Sequence, residues 1–201
     1  MTDRQKGENV FYNQNDYPDV PYPYKNDIHN TIASAGCGLC ACCMVVEALT
    51  GASFTPPEAA EMALRCGARV AFGTDMSTMA PAVCAKFGLQ YALTDDCGRV
   101  LQFLQQKKGM AVANPGGDRD GWTGVYTDTC HYVVIAAAEG MHVKVWDPML
   151  MPGRYDVPGR KGKVTVDGND TYTDINTIAR DCENRTPAYT LFWREGDASW
   201  K

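Results

Sequence analysis

The segment from residue 35 to 51, AGCGLCACCMVVEALTG, sets the tightest limit on how this chain can fold. Between Cys37 and Leu49 it carries a single charge, Glu47, and Gly51 follows as a stop signal. A helix that is apolar all round cannot lie on a surface and must be enclosed by other elements. A buried helix from about Cys37 to Leu49 is therefore expected, with the rest of the chain built around it.

The flanking patterns say what could enclose it. The first ~30 residues are polar and aromatic and have no helical period; Pro18, Pro21 and Pro23 fix φ and remove N–H donors, so they read as an extended arm. After the helix, Thr55-Pro56-Pro57-Glu58 is a capping box with proline in the first turn, opening a helix to about Cys66. Asp75 or Ser77 caps a third helix running to Gly88. Asp95 or Asp96 starts a fourth, through GRVLQFLQQKKG, with lysines toward its end as the helix dipole prefers. The pattern then changes. MAVAN, HYVVIAA, HVKVW, KVTV and AYTLFW are short and rich in β-branched and aromatic residues, interrupted by one helix at about Ile175 to Cys182. Helices first and strands later indicate an α+β fold in which N-terminal helices pack on a C-terminal antiparallel sheet. The expected layout is one domain over 1–201, with an extended arm (1–30), a mainly helical part (31–109) and a mainly β part (110–201). PGGDRDGWTG and PGRYDVPGRKGK are the loop-rich insertions, and the cations of the second read as a solvated surface.

Charge and composition exclude several function classes. A net charge of −5 argues against broad nucleic-acid binding, which needs a basic face. No apolar run reaches the ~20 residues needed to cross a bilayer. MTDRQKGENV has no apolar core of a signal peptide, so a cytoplasmic location is expected, with release by lysis or non-classical export left open. Nine cysteines, an odd number without a secretory signal, do not read as a disulfide framework.

One cysteine stands apart. Thiolate chemistry needs a lowered pKa and an open approach, and a helix N-terminus favours the anion. Cys37 holds that position, and Gly36 and Gly38 leave backbone room for a substrate. Cys40, Cys42 and Cys43 lie deeper in the helix. The segment alone also fits four packing cysteines. A single CxxC without a second ligand pair does not make a zinc site, and a polar loop rather than a strand precedes it, unlike a redox motif.

Three histidines are available as a base. His29 lies in the arm and His142 at a strand start, whereas His131 opens the most apolar strand after a Gly-rich loop. HYVVIAA and MHVKVWD are joined by Ala138-Glu139-Gly140, read as a three-residue hairpin loop with glycine at the left-handed position. Such a loop pairs residue 137 with 141, and counting outward sets His131 directly opposite Asp147 on one face. Asp147 could then hold the imidazole tautomer, or Asp147-Pro148 could simply be a strand-ending turn. Trp122 could line a substrate cleft or be a packing tryptophan.

QNDYPDVPY, TIASAGCG, HYVVIAA and VWDP, in this order, resemble the bacteriocin-leader-processing cysteine peptidase-like group of the papain superfamily, over about residues 11 to 150. The resemblance implies a papain-like fold and a Cys–His–Asp triad at Cys37, His131 and Asp147. It implies a glutamine completing the oxyanion hole, which falls on Gln14, with Asn13 and Asn15 as near neighbours. The chain departs from the family where Leu39-Cys40 follow GCG in place of proline and threonine, and where Cys130 replaces the glycine before the histidine. The interval from Gln14 to Cys37 is also longer than in typical papain-like enzymes. The implied activity is hydrolysis of a peptide or isopeptide bond without metal or organic cofactor. Leader peptides or peptidoglycan stem peptides are the candidate substrates. An acyltransferase on the same fold and a non-catalytic peptide-binding module are the alternatives. The oligomeric state is not readable.

Overall fold

The computed structural model of the protein describes residues 10–196; residues 1–9 of the expected arm lie outside that range. The first half runs α1 (Ile32–Ala35), α2 (Cys37–Thr50), α3 (Pro56–Cys66), β1 (Arg69–Val70), β2 (Gly73–Thr74), α4 (Met76–Phe87), β3 (Leu89–Thr94) and α5 (Cys97–Gln105). The second half runs β4 (Gly109–Ala113), β5 (Val133–Glu139), β6 (His142–Trp146), β7 (Thr165–Asp167), β8 (Asp170–Asp174), α6 (Ile175–Cys182) and β9 (Tyr189–Arg194).

Local chemistry sets the helix ends. Gly51 closes α2 in the left-handed region at φ 72°. The Thr55 N–H donates to the Glu58 carboxylate at 2.8 Å, completing the capping box of α3. Asp75 and Asp96 cap α4 and α5 through their side chains. Lys107 and Lys108 fall just past the end of α5, not within its last turn.

The central helix is enclosed as its composition requires. All side chains from Leu39 to Val46 are fully buried. One side of the enclosure is a seven-stranded antiparallel sheet in the order β3-β9-β4-β5-β6-β8-β7. The two-residue period of the strands sorts its side chains. Val112, Val134 and Phe192 join the cluster of α2, α3 and α4, while Ala111, Val133, Ile135, Val145 and Leu191 join Val100, Phe103 and Ile178 of α5 and α6. The expected layer of N-terminal helices covers one face; α5 and α6 cover the other. Two strands of this sheet, like the short β1 and β2, were not visible in the sequence: β3 is an edge strand in which only Leu89 is buried, and β8 is built from Asp, Thr and Tyr.

The β5–β6 hairpin differs from expectation. Glu139 pairs with His142, so the turn is the two-residue Gly140-Met141, with Gly140 at φ 58°. A bulge between Ile135 and Ala137 shifts the ladder, and beyond it Ile135 faces Val145 and Val134 faces Trp146.

The arm docks through the one charge of α2. The Tyr12 hydroxyl donates to the Glu47 carboxylate at 2.6 Å, and the Phe54 N–H reaches the same oxygen at 3.0 Å. Tyr22 is fully buried further along the arm. Among the described residues no helix is long and apolar enough to cross a membrane. Tyr12→Phe is expected to lower stability by about 1–3 kcal/mol, the usual cost of removing a hydrogen bond to a buried charged group, read as a lower urea midpoint at unchanged slope.

Candidate active site

Cys37 is the first residue of α2, and Gly36 both ends α1 and caps α2. First-turn N–H groups have no partner inside the helix, so the Cys37 thiol sits at the positive end of the dipole. The flanking glycines have a different role from the expected one. A Cβ on Gly36 would come within 2.4 Å of Ile32 Cγ2, and one on Gly38 within 3.0 Å of Thr74 Cβ. Both residues are buried, and neither is among those lining the cleft at Cys37. The room they leave is filled by the protein's own α1, β2 and Tyr132. It lets the helix end pack tightly instead of opening it to substrate.

His131 precedes β5, in an extended segment anchored by its N–H to the Pro115 carbonyl at 3.1 Å. Its Nε2 lies 2.6 Å from Asp147 Oδ1, and its ring also hydrogen-bonds the Cys37 thiol. With Nε2 taken by Asp147, Nδ1 is the nitrogen left for sulfur. The expected register is corrected here. With Val134 facing Trp146, His131 and Asp147 are not directly opposite; they are diagonal neighbours just beyond the strand ends, within reach of a long side chain.

Asp147 is fully buried and accepts four hydrogen bonds. Oδ1 takes the His131 ring and the Met149 N–H at 2.8 Å; Oδ2 takes Arg154 Nε at 2.6 Å and the Tyr155 hydroxyl at 2.5 Å. The Met149 contact is the strand-ending turn that the sequence also allowed, so one carboxylate serves both roles. The sequence reading missed Arg154 and Tyr155. It also treated the cations of PGRYDVPGRKGK as solvated, but Arg154 and Arg160 turn inward. Arg154 pairs with Asp147 and the Tyr126 carbonyl, and Arg160 with Asp128 and the Gly124 carbonyl. The signal that could have found them is guanidinium chemistry: an arginine fork can satisfy a carboxylate and a carbonyl together inside a protein.

Gln14 is 1% exposed and lines the same cleft as Cys37 and His131. It lies on a single 3-10 turn, Gln14–Asp16, whose capping residue is Asn13. Its N–H donates to the Pro148 carbonyl at 2.7 Å, and Asn13 Nδ2 to the Leu150 carbonyl at 2.6 Å, so the arm is pinned to the Asp147 turn. Gln14 Nε2 donates one hydrogen to the Ala33 carbonyl at 2.6 Å; its Oε1 is buried without a partner. Asn15 does not line the cleft.

Trp122 also stays outside the cleft. Its Nε1 donates to Asp181 at 2.8 Å, and Lys163 sits 4.2 Å above its ring. Asp181, fully buried, also accepts the N–H groups of Val125 and Tyr126. Trp122 is thus a brace for the loop ahead of His131. That loop supplies the cleft wall at Thr127, Asp128 and Thr129. Of the other histidines, His29 is exposed on the arm and His142 opens β6, and neither is among the residues lining this cleft.

The electrostatics single out one thiol. Burial raises Cys37, but the hydrogen bond and charge of His131 outweigh it. Together with the Tyr132 and Gly38 N–H groups they hold the thiol below its ordinary value of 9.0. Burial pushes Cys40, Cys42, Cys43, Cys84, Cys97 and Cys182 upward. Burial would depress His131, yet the charge and hydrogen bond of Asp147, with those of Cys37, lift it from 6.5 to about 9. Asp147 is raised by burial but held far below the carboxylate range by His131, Arg154 and Tyr155. All nine cysteines are free, and among the described residues no cluster of His, Cys, Asp and Glu assembles that could hold a metal ion. The cleft has a volume of about 440 Å³. A second hollow, of about 500 Å³, beyond Asn13 and Arg154, contains neither thiol nor imidazole.

A thiol, an imidazole and a buried carboxylate thus follow one another at a helix N-terminus within a mixed helix and sheet scaffold; a papain-like fold is the one expected, and solved structures bear out that fold. The chain superimposes on the peptidase domain of Streptococcus ComA, a bifunctional ABC transporter involved in a quorum-sensing pathway. That match has a TM-score of 0.53 and 11% identity, covering 79% of this chain and 91% of that one. It also superimposes on a structure assigned to the C39-like peptidases, from Bacillus anthracis, with a TM-score of 0.55 and 11% identity over 94% of this chain and 95% of the other. No protein-family model and no curated protein matches the sequence. At this identity the likeness is one of fold.

The charges set three outcomes. Cys37 should react with iodoacetamide faster than the other cysteines at pH 6–7, because its thiolate persists below the ordinary thiol range; peptide mapping after brief labelling reads this. His131 stays protonated up to about pH 9, so the stability it draws from Asp147 is complete below 6.5 and disappears as pH rises through about 9. Asp147→Asn removes the charge that raises it, so the His131 titration followed by NMR should move down from about 9.

Proposed function

We propose that the protein is a cysteine peptidase that hydrolyses a peptide or isopeptide bond through a thioester acyl-enzyme. The observation that carries this reading is the ordered contact of Cys37, His131 and Asp147 in an open cleft, with the thiol lowered and the imidazole raised. A thiolate–imidazolium pair at rest is the state such chemistry needs.

Each step has a residue suited to it. The Cys37 thiolate attacks the substrate carbonyl carbon, and the C=O electron pair moves onto oxygen. The Cys37 N–H, at the helix end, and the second N–H of Gln14 Nε2 are the donors available for that oxyanion; one such donor is typically worth ~3 kcal/mol. Imidazolium His131 gives its proton to the leaving amine as the C–N bond breaks. The neutral imidazole then takes a proton from water, which attacks the thioester and releases the acid and the thiolate. Asp147 holds the ring and stabilises its charged form throughout.

The fold shared with peptidase domains agrees with this reading. Leader peptides and peptidoglycan stem peptides are the substrate classes to try first. Cys37→Ala should keep the native circular dichroism and lose cleavage of a peptide library by about 10³-fold or more, while the wild-type enzyme shows an acyl adduct on Cys37 by mass spectrometry after acid quench. Cleavage that survives Cys37→Ala would refute the reading. Added amine nucleophiles separate hydrolysis from acyl transfer, since only a transferase converts most of the acyl group into amide.

A further inference from the structure

Cys40 stands where the resembled family has threonine, and no step of the proposed hydrolysis uses it. It lies three residues beyond Cys37 in α2. Its N–H donates to the Gly36 carbonyl at 3.0 Å, so the turn that separates the two cysteines is a closed α-helical one. Residues three apart in such a turn share a face, and their Cα atoms are about 5 Å apart, inside the span that a disulfide bridges. Cys42 lies on another face of the helix, and Cys43 is about 9 Å along the axis from Cys37. Cys130 also lines the cleft, but on the segment before His131, where no regular geometry fixes its spacing from Cys37.

The two thiols of this turn differ in access and in charge. Cys37 lines the cleft, whereas Cys40 is fully buried, so a reagent entering the cleft meets the first and cannot reach the second directly. Burial and the charge of Cys37 push Cys40 well above 9.0. A strand does not lead into the pair, as it would in a disulfide oxidoreductase, but the local chemistry is present: a thiolate at a helix N-terminus and a protonated thiol one turn away. We propose that Cys40 is a resolving thiol for Cys37, and that under peroxide the two close into a disulfide that stops the peptidase reversibly. This inference rests on the activated thiolate of the peptidase reading and adds a regulation of the same site. In the first step the Cys37 thiolate attacks hydrogen peroxide. An S–O bond forms and the O–O bond breaks. Sulfur is oxidised by two electrons to a sulfenic acid, and the departing hydroxide takes the His131 proton to become water. In the second step the Cys40 sulfur attacks the Cys37 sulfur. The S–S bond forms, the S–O bond breaks, and the Cys40 proton leaves with the hydroxyl as water. The sulfenic acid is neutral, so the charge that raised Cys40 is gone by the time its thiol is needed. Without a resolving thiol, further peroxide carries the sulfenic acid to a sulfinic acid, which dithiols do not reduce.

Hydrogen peroxide and the full chain test it. Reduced protein is exposed to the oxidant, remaining thiols are blocked with light iodoacetamide in denaturant, and disulfides are then reduced and labelled with heavy iodoacetamide. Peptide mapping should place the heavy label on Cys37 and Cys40 together. Dithiothreitol added before blocking should return the native Cys37 iodoacetamide rate to within about twofold of the untreated protein. Cys40→Ala should carry sulfinic acid on Cys37 instead and regain less than about a tenth of its Cys37 labelling. Heavy label on Cys37 alone or with Cys130, sulfinic acid as the main wild-type product, or no change at Cys37 would overturn the assignment of Cys40 while leaving the activated thiolate intact. The wild-type map decides this even where Cys40→Ala fails to fold. If iodoacetamide modifies Cys37 of the reduced protein no faster than the other cysteines, the peptidase reading fails instead and takes this proposal with it.

Discussion

One buried carboxylate ties the candidate site together. Asp147 touches no solvent and is surrounded by four donors from three segments: the stretch ahead of β5, its own turn, and the loop at Arg154 and Tyr155. A charge placed in the interior without partners would be neutralised or would unfold the region around it. The donors are therefore a condition for the histidine to have a charged neighbour at all. The arm joins the same knot through the Gln14 N–H and the Asn13 side chain, which hold the carbonyls of Pro148 and Leu150. Any change that loosens this turn moves the imidazole and the glutamine together.

The charges through this knot alternate. With the Cys37 thiol ionised, thiolate, imidazolium His131, carboxylate Asp147 and guanidinium Arg154 form a chain in which each member has a neighbour of opposite sign. The total is zero. This arrangement explains how a raised histidine and a lowered thiol coexist under burial that disfavours both charged forms. It also gives Arg154 a purpose beyond packing, since without it the carboxylate would face the histidine with an unbalanced negative charge.

Much of this was legible in the chain. The enclosed helix, its stop at Gly51, the capping box at Thr55 and Glu58, and four of the core strands follow from short-range chemistry that sequence displays directly. Cys37 was legible because a helix N-terminus is a local feature. Arg154, Tyr155 and Asp181 were not, because their partners lie far away and a loop sequence does not say which cations turn inward. β8 hid for a related reason: its polar Thr171 and Thr173 are buried and satisfied by carbonyl groups from β6 and the Lys163 loop, a tertiary arrangement that overrides composition. Gly36 and Gly38 were read as leaving room for a substrate, although that room is filled by the protein; of the two readings open for Trp122, cleft wall or packing, its bond to Asp181 agrees with packing.

The bulge beside Ala136 has a consequence that reaches the candidate chemistry. Near the Gly140-Met141 turn the two strands are offset from the expected pairing by an odd number of residues. Had that offset continued to the far end, Asp147 would project from the opposite surface of the sheet to His131, because side chains alternate with each step. The single inserted residue makes the offset even. Parity is restored, and the carboxylate returns to the histidine's side. A deletion of one of the three alanines Ala136–Ala138 would leave every partner residue in the chain and its composition almost unchanged, and still take the ring and its anion apart.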